Sequence, residues 1–414
     1  MTRIWLDIEA LSSRGEGLSE SARGRVRVPL ALPGETVEAD VDGARGALLS
    51  IANASPHRVS PPCPYFGRCG GCSLQHVGHA AYAEWKRSLI ISALNKYGIS
   101  APLRPLLAAY GEGRRRVVLH ARLVRGEPAV GFMAPRSHDL VDVLDCLILS
   151  PRLVPALAAA RELAGLLLTL KPALDMQFTA VPGGLDCDIR GLPRAAAFPL
   201  AGAAEIAGRH GLLRISLHGE PAVTLSIPRI VLSGVSLPLP AGSFLQATEQ
   251  GEKALTDFVL AHAAGVNRAA DLFCGAGTFA LPLARLAPVL AVDLDRPSIE
   301  ALLHASRHAQ GLKPVTARTR NLFREPLSAA ELAACDLVVF DPPRQGAEAQ
   351  AKELAASRCR RIIAISCDPL TFARDAAILI AAGHELRDVL PVDQFQWSAH
   401  VEIAALFAKT SKLR

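Results

Sequence analysis

Residues 269–280, Ala-Ala-Asp-Leu-Phe-Cys-Gly-Ala-Gly-Thr-Phe-Ala, decide the fold. A strand-like run ending at Phe273 passes into Gly275-Ala276-Gly277-Thr278-Phe279-Ala280, a G-x-G-x-x-A spacing after a strand and at a helix start. Glycine has no Cβ to hold a ligand off, so such a turn lets backbone approach a nucleotide-type molecule closely. Working outward, a helix is expected over 249–264 and strands over 269–273 and 289–293. A helix then runs to Gly311, followed by a short strand near Val315 and a strand over 336–340. A further helix, a strand over 361–366, another helix and closing strands over 384–389 and 400–407 complete the pattern. Alternating strands and helices predict an α/β, mainly parallel, doubly wound Rossmann-like sheet whose ligands lie at the carboxyl ends of its strands.

The residues at those strand ends carry the chemistry. Asp293 closes the second strand, where an acid that binds ribose is expected, with Asp295 as its rival. The next long strand ends in Phe340-Asp341-Pro342-Pro343-Arg344. Two prolines stiffen this loop and remove N–H donors, leaving the Asp341 carboxylate and the carbonyls as acceptors. The following strand ends in Ile365-Ser366-Cys367-Asp368-Pro369, and a helix starting there is expected to lower the thiol pKa. On the last strand stands His400-Val401-Glu402. A thiolate that adds to carbon 6 of a pyrimidine makes carbon 5 nucleophilic. The carbon 5 proton must then leave, and Glu402 is the candidate base. Cys274 reads as packing, and Cys187, Cys335 and Cys359 as structural.

At 414 residues, half of them hydrophobic, the chain is long enough for two or three domains. Residues 1–60 read as a small β-barrel of short strands and Gly/Pro turns, ending in a Pro/Ser boundary. Residues 61–238 are mixed, with a helix over 80–97, strands over 116–124 and 141–149 and a helix over 151–170; residues 239–414 hold the doubly wound domain. The net charge of +6 permits nucleic-acid binding without demanding it. Arg114-Arg115-Arg116 is the better candidate for facing RNA, ahead of Arg23, Arg25, Arg27 and Arg58. The start of the chain has no apolar signal region, and the apolar stretch near 153–170 is broken by Arg161 and Glu162. A cytoplasmic protein without membrane contact is therefore expected, and its nine cysteines read as thiols, ligands or catalysts rather than disulfides. Cys63, Cys69 and Cys72 form C-x5-C-x2-C, with Cys146 as the best fourth ligand. Without two C-x-x-C pairs, this set suits a Cys-ligated iron–sulfur cube better than zinc; zinc and no metal are the alternatives.

Almost end to end, the chain resembles the RNA uracil-5-methyltransferase family, which makes 5-methyluridine with S-adenosylmethionine. The resemblance implies Cys367, in a Ser-Cys-Asn/Asp-Pro motif, as nucleophile and Glu402, in His-Val/Met-Glu, as proton acceptor. It implies cofactor contacts by Gln246 of Phe244-Leu245-Gln246 and by Phe273, Gly275, Thr278, Asp293, Asn321 and Asp341. Thr278 stands where many relatives have Asn, Gln396 where they usually have Pro, and Asp368 where many have Asn. The N-terminal barrel resembles the RNA-binding TRAM module. A subset of the family carries a 4Fe–4S cluster at positions matching Cys63, Cys69, Cys72 and Cys146. The implied partner is RNA, with large-subunit (23S) ribosomal RNA favoured and transfer RNA as the alternative, and the implied state is a monomer. A non-catalytic iron–sulfur RNA-binding protein is the competing reading.

Overall fold

The computed structural model describes residues 2–21, 24–193 and 198–409. Its largest sheet has eight strands, ordered Val315–Thr319, Val289–Asp293, Ala269–Leu272, Leu337–Phe340, Arg361–Ser366, Glu402–Lys409, His384–Asp393 and Leu107–Ala108. The first five run parallel to one another, and Glu402–Lys409 is antiparallel to both its neighbours. The inner strands, Ala269–Leu272, Val289–Asp293, Leu337–Phe340 and Arg361–Ser366, are near-continuous apolar runs because helices cover both faces. Alternate residues divide between two cores. Ala269, Val289, Leu337 and Ile363 pack with Leu255, Phe258 and Val259 of the helix Glu249–Ala261. Ala270, Leu290, Val338 and Ile362 pack with Phe372 and Leu379 of the helix Pro369–Ala381. The Rossmann-like core expected from the glycine turn is therefore present.

Two upstream pieces complete this layer. Leu107–Ala108 pairs in parallel with Val392 and Asp393. The helix His79–Asn95 sends Ile90, Ala93 and Leu94 into the core that holds Phe372.

A second sheet of seven strands runs Leu140–Asp142, Glu127–Met133, Arg116–Val124, Ala173–Val181, Gly184–Arg190, Leu212–Leu217 and Glu220–Thr224. Helices Pro155–Leu167 and Leu200–His210 close its core. The strand expected over 141–149 is only Leu140–Asp142. Asp142 turns its carboxylate onto the Val130 N–H and the Arg161 guanidinium, and the ladder stops there.

The N-terminal barrel is corrected. The first strands form an open six-stranded sheet, ordered Thr2–Asp7, Thr36–Asp42, Arg45–Asn53, Gly24–Val28, Gly17–Ser21 and Ala10–Leu11. No closed barrel forms among the described residues, so the TRAM assignment falls with it. The outermost strand has two residues, and Gly24–Val28 meets Arg45–Asn53 only through Arg27 and Arg45. A barrel needs its two outer strands paired, and among the described residues no ladder joins Thr2–Asp7 to Ala10–Leu11. Among the described residues no helix is long and apolar enough to cross a membrane.

Candidate active site

Register brings the two proposed reacting residues together. Strands Arg361–Ser366 and Glu402–Lys409 are antiparallel with Ser366 opposite Ile403. Cys367 and Glu402 are the next residues beyond that pair, and at the carboxyl end of Arg361–Ser366 they lie close enough for the Glu402 charge to act on the Cys367 thiol. Asp341 leaves the next strand at that same end, where Phe340 pairs with Ala364.

Charge is concentrated here. Burial, and then Asp341, push Glu402 up to about 8. Burial raises Asp341 to about 7, with Asp293 adding to it and the Gln246 hydrogen bond opposing. Burial pushes the Cys367 thiol up to about 12, with Glu402 and Asp341 adding to it and Arg344 opposing. The expected lowering by the helix N-terminus is thus outweighed. The first free N–H groups of that helix, on Leu370 and Thr371, are already taken by the Asp368 carboxylate at 2.9 and 3.0 Å. Arg344 is the cation among these groups, and it donates to Nε2 of His400 at 2.9 Å. Burial and three neighbouring cations hold His400 down near 4, so it stays a neutral acceptor.

A chain of amides ties the site together. Gln246 donates to Asp341 at 3.0 Å. Gln394 donates to Gln246 at 2.7 Å and to Glu402 at 3.1 Å. Arg115 is buried, holds the Gln246 carbonyl at 3.0 Å and pairs with Glu252. It therefore supports the site and is not free to contact RNA. Arg114 lies over the Phe395 ring at 5.5 Å and Arg116 over Phe244 at 4.7 Å. Gln394 and Arg115 were not legible as site residues. The helical and strand patterns name buried positions, not which buried amide meets which.

The glycine turn forms the other half of the cleft. Phe273 takes φ +59° and Gly275 φ +52°, which turns the chain sharply after the strand. A Cβ at Gly275 would meet no heavy atom within 4 Å and would project into open space. At Gly277 it would come within 2.6 Å of Leu302, so that glycine serves helix packing. The Gly275 N–H donates to Asp293 at 2.9 Å. Asn321 follows the strand Val315–Thr319, accepts the Phe323 N–H at 3.0 Å, and adjoins the Phe273 and Phe323 rings, whose centroids lie 5.2 Å apart at a tilt of 46°. Thr278 lies half-buried in the turn. An open glycine cradle, an aromatic wall and converging carboxylates, with Asp271 fully buried behind them, fit a donor that carries adenosine and positive charge.

The expected iron–sulfur cluster is corrected. Cys63, Cys69, Cys72 and Cys146 line one small cavity with Tyr65 and Phe66. Yet no group of three or more His, Cys, Asp or Glu side chains able to hold a metal ion occurs among the described residues. Burial raises the Cys69 and Cys72 thiols and takes Cys146 to about 12. Of the other expected RNA contacts, Arg58 is committed to Glu35 at 2.5 Å and to the Leu30 carbonyl at 2.7 Å. Arg25 pairs with Glu20, Arg27 is exposed, and Arg23 lies outside the described residues.

The sheet and the cleft at its carboxyl edge define a methyltransferase that uses S-adenosylmethionine. The profile of the family described as tRNA (Uracil-5-)-methyltransferase matches residues 239–410. An uncharacterized RNA methyltransferase of Rhizobium meliloti is 43% identical, over 97% of this chain and 98% of its own. The 23S rRNA (uracil(1939)-C(5))-methyltransferase of Chromohalobacter salexigens is 34% identical over 98% and 89%. The Pyrococcus abyssi tRNA (uracil-54, C5)-methyltransferase, solved with S-adenosyl-L-homocysteine, superposes with a TM-score of 0.72 at 20% identity, covering 98% of this chain and all of that one. The chain belongs to the RNA uracil-5-methyltransferase family, and it transfers a methyl group from S-adenosylmethionine to carbon 5 of a uridine in RNA.

Proposed function

We propose that Cys367 is the nucleophile and Glu402 the base of this reaction, and that the substrate is a uridine of transfer RNA. The register of Ser366 against Ile403, which leaves Cys367 and Glu402 as neighbours at one strand end, carries the first part. The Cys367 sulfur bonds to carbon 6, and the ring π pair moves onto the carbonyl oxygen as an enolate. The bound donor supplies an electrophilic methyl group, which carbon 5 takes. Glu402 then accepts the carbon 5 proton, the C–H pair restores the ring double bond, and the sulfur leaves with the electrons of the S–C6 bond. Cys367 is a neutral thiol in the free protein, so its proton must leave first. That proton passes to solvent, and Arg344 stabilises the resulting negative charge, so that Glu402 is still ionised for the carbon 5 step. Gln246, Phe273, Gly275, Thr278, Asp293, Asn321 and Asp341 would hold the donor, with the acids matching its positive charge.

Both ring faces must be reached, so the target uridine is one that leaves its stack, in a loop or by flipping. Transfer RNA is supported by the description of the family profile that spans the catalytic region. Ribosomal RNA is the second reading, favoured by the 34% identical relative that acts on 23S rRNA. In this reading the parts before about residue 238 hold RNA, apart from the helix His79–Asn95 and the strand Leu107–Ala108, which belong to the catalytic layer. The test is mass spectrometry of 5-methyluridine in transfer and 23S RNA from a strain lacking the gene, before and after treatment with the purified protein. Methylation appearing in the transfer RNA fraction supports the proposal; methylation confined to 23S RNA replaces its target, and none in either fraction sinks it.

A further inference from the structure

Gln394 stands just beyond the strand His384–Asp393 and is 1% exposed. Its Nε2 has two hydrogens, and both are spent inside the site, one on Oε1 of Gln246 at 2.7 Å and one on Oε1 of Glu402 at 3.1 Å. Its own Oε1 faces the Thr248 N–H at 3.4 Å. Thr248 caps the helix Glu249–Ala261 and donates to the Ala109 carbonyl at 2.6 Å, which anchors this end of the amide. The neighbouring helical turn makes room for it. A Cβ on Gly251 would come within 2.7 Å of the Gln394 Oε1 and 2.9 Å of its Cβ.

Resting on the roles proposed above for Glu402 and Gln246, we propose that Gln394 is a positioning residue that aims the base and the donor-side amide as one unit. An N–H aimed at Glu402 favours its ionised form, the form that can take a proton, against burial and Asp341. The other N–H fixes which way Gln246 points. With its oxygen occupied, Gln246 can only turn its own N–H toward Asp341 at 3.0 Å. Without Gln394, Glu402 is left a buried acid short of its donor, and it stays protonated to higher pH. Carbon–sulfur bond formation and methyl transfer then proceed, but removal of the carbon 5 proton slows. The enzyme waits with the methylated ring still bonded to Cys367.

The test compares wild type with Gln394→Leu, which keeps the volume and removes the donors, and with Gly251→Ala, which crowds the amide without changing its chemistry. Denaturant-stable protein–RNA adduct, turnover from pH 6 to 9.5, affinity for S-adenosylhomocysteine and melting temperature are read on the substrate RNA found above. The inference expects both variants to accumulate adduct and Gln394→Leu to lose roughly 100-fold or more in turnover. It also expects the acid limb of the Gln394→Leu profile to move up by about one pH unit or more, since a lost donor disfavours the carboxylate. Affinity for S-adenosylhomocysteine should fall in both. A Gln394→Leu enzyme that is slower but keeps the wild-type acid limb and no extra adduct overturns it, because Gln394 then only fills space. If Gln394→Leu does not fold, Gly251→Ala decides on the same two readouts. A wild type that methylates neither RNA fraction brings down the parent reading instead, and this inference with it.

Discussion

Lys86 and Asp393, 307 residues apart in sequence, form an ion pair with both side chains sealed from solvent. Tyr82 donates to the same carboxylate at 2.8 Å, and the Phe395 N–H at 3.0 Å. The helix His79–Asn95 thereby fixes the loop that begins with Gln394 and ends at Glu402. Removing one partner of a buried pair leaves the other charge uncompensated. Lys86→Met is expected to cost about 3–5 kcal/mol, and Tyr82→Phe about 1–2 kcal/mol. Urea unfolding of both variants checks the order.

Cys367→Ala should abolish covalent capture of RNA carrying 5-fluorouridine, because fluorine at carbon 5 cannot be removed by a base and the wild type stalls as an adduct. Glu402→Gln should behave oppositely, holding RNA covalently while turnover falls roughly 100- to 10,000-fold. Denaturing gels of the two variants, run beside wild type, separate the roles.

The pH dependence of stability has a defined sign. Glu402 is raised from 4.5 to about 8 and Asp341 from 3.8 to about 7. A carboxyl raised on folding holds its proton more tightly in the folded state. The stability it contributes is complete below the unfolded value and is lost as pH rises through the folded one. Melting temperature of the ligand-free protein should therefore fall between about pH 4 and pH 8. Glu402→Gln and Asp341→Asn should each flatten that slope in differential scanning calorimetry.

Asp368 caps the helix Pro369–Ala381 one residue after Cys367. Asp368→Ala should cost about 1 kcal/mol, with Asp368→Asn close to wild type. Iodoacetamide labelling of Cys367 should change in the first variant and not in the second, because the cap also fixes the turn that carries the thiol.

Local grammar made much of the catalytic half legible. Strand–glycine–helix at 269–280 announced the cradle, and acids and a thiol at consecutive strand ends announced the cleft, since a parallel sheet gathers those ends along one edge. What sequence could not supply was pairing across distance. Gln394 reads as one polar residue in the mixed stretch Asp393-Gln394-Phe395-Gln396; only the fold, which brings Gln246 and Glu402 beside it, reveals its two acceptors. Arg115, in a basic triplet, looked like a phosphate contact and instead holds the Gln246 carbonyl. The N-terminal strands alternated as barrel strands do, but closure depends on strand length and stagger, which alternation does not encode. The spacing of Cys63, Cys69 and Cys72 suggested ligands, while the convergence of such side chains on one point is a property of the folded surroundings, and no metal-holding group occurs among the described residues.

Leu107–Ala108 contributes only two residues to the catalytic sheet, yet it occupies the outer flank of His384–Asp393. A fragment cut to begin near residue 239 would leave that flank bare, with Val392 and its neighbours offering unsatisfied backbone to any passing chain. Excising the catalytic half should therefore yield a sticky, self-associating piece. Shuffling of this half between genes would have to carry the upstream segment along.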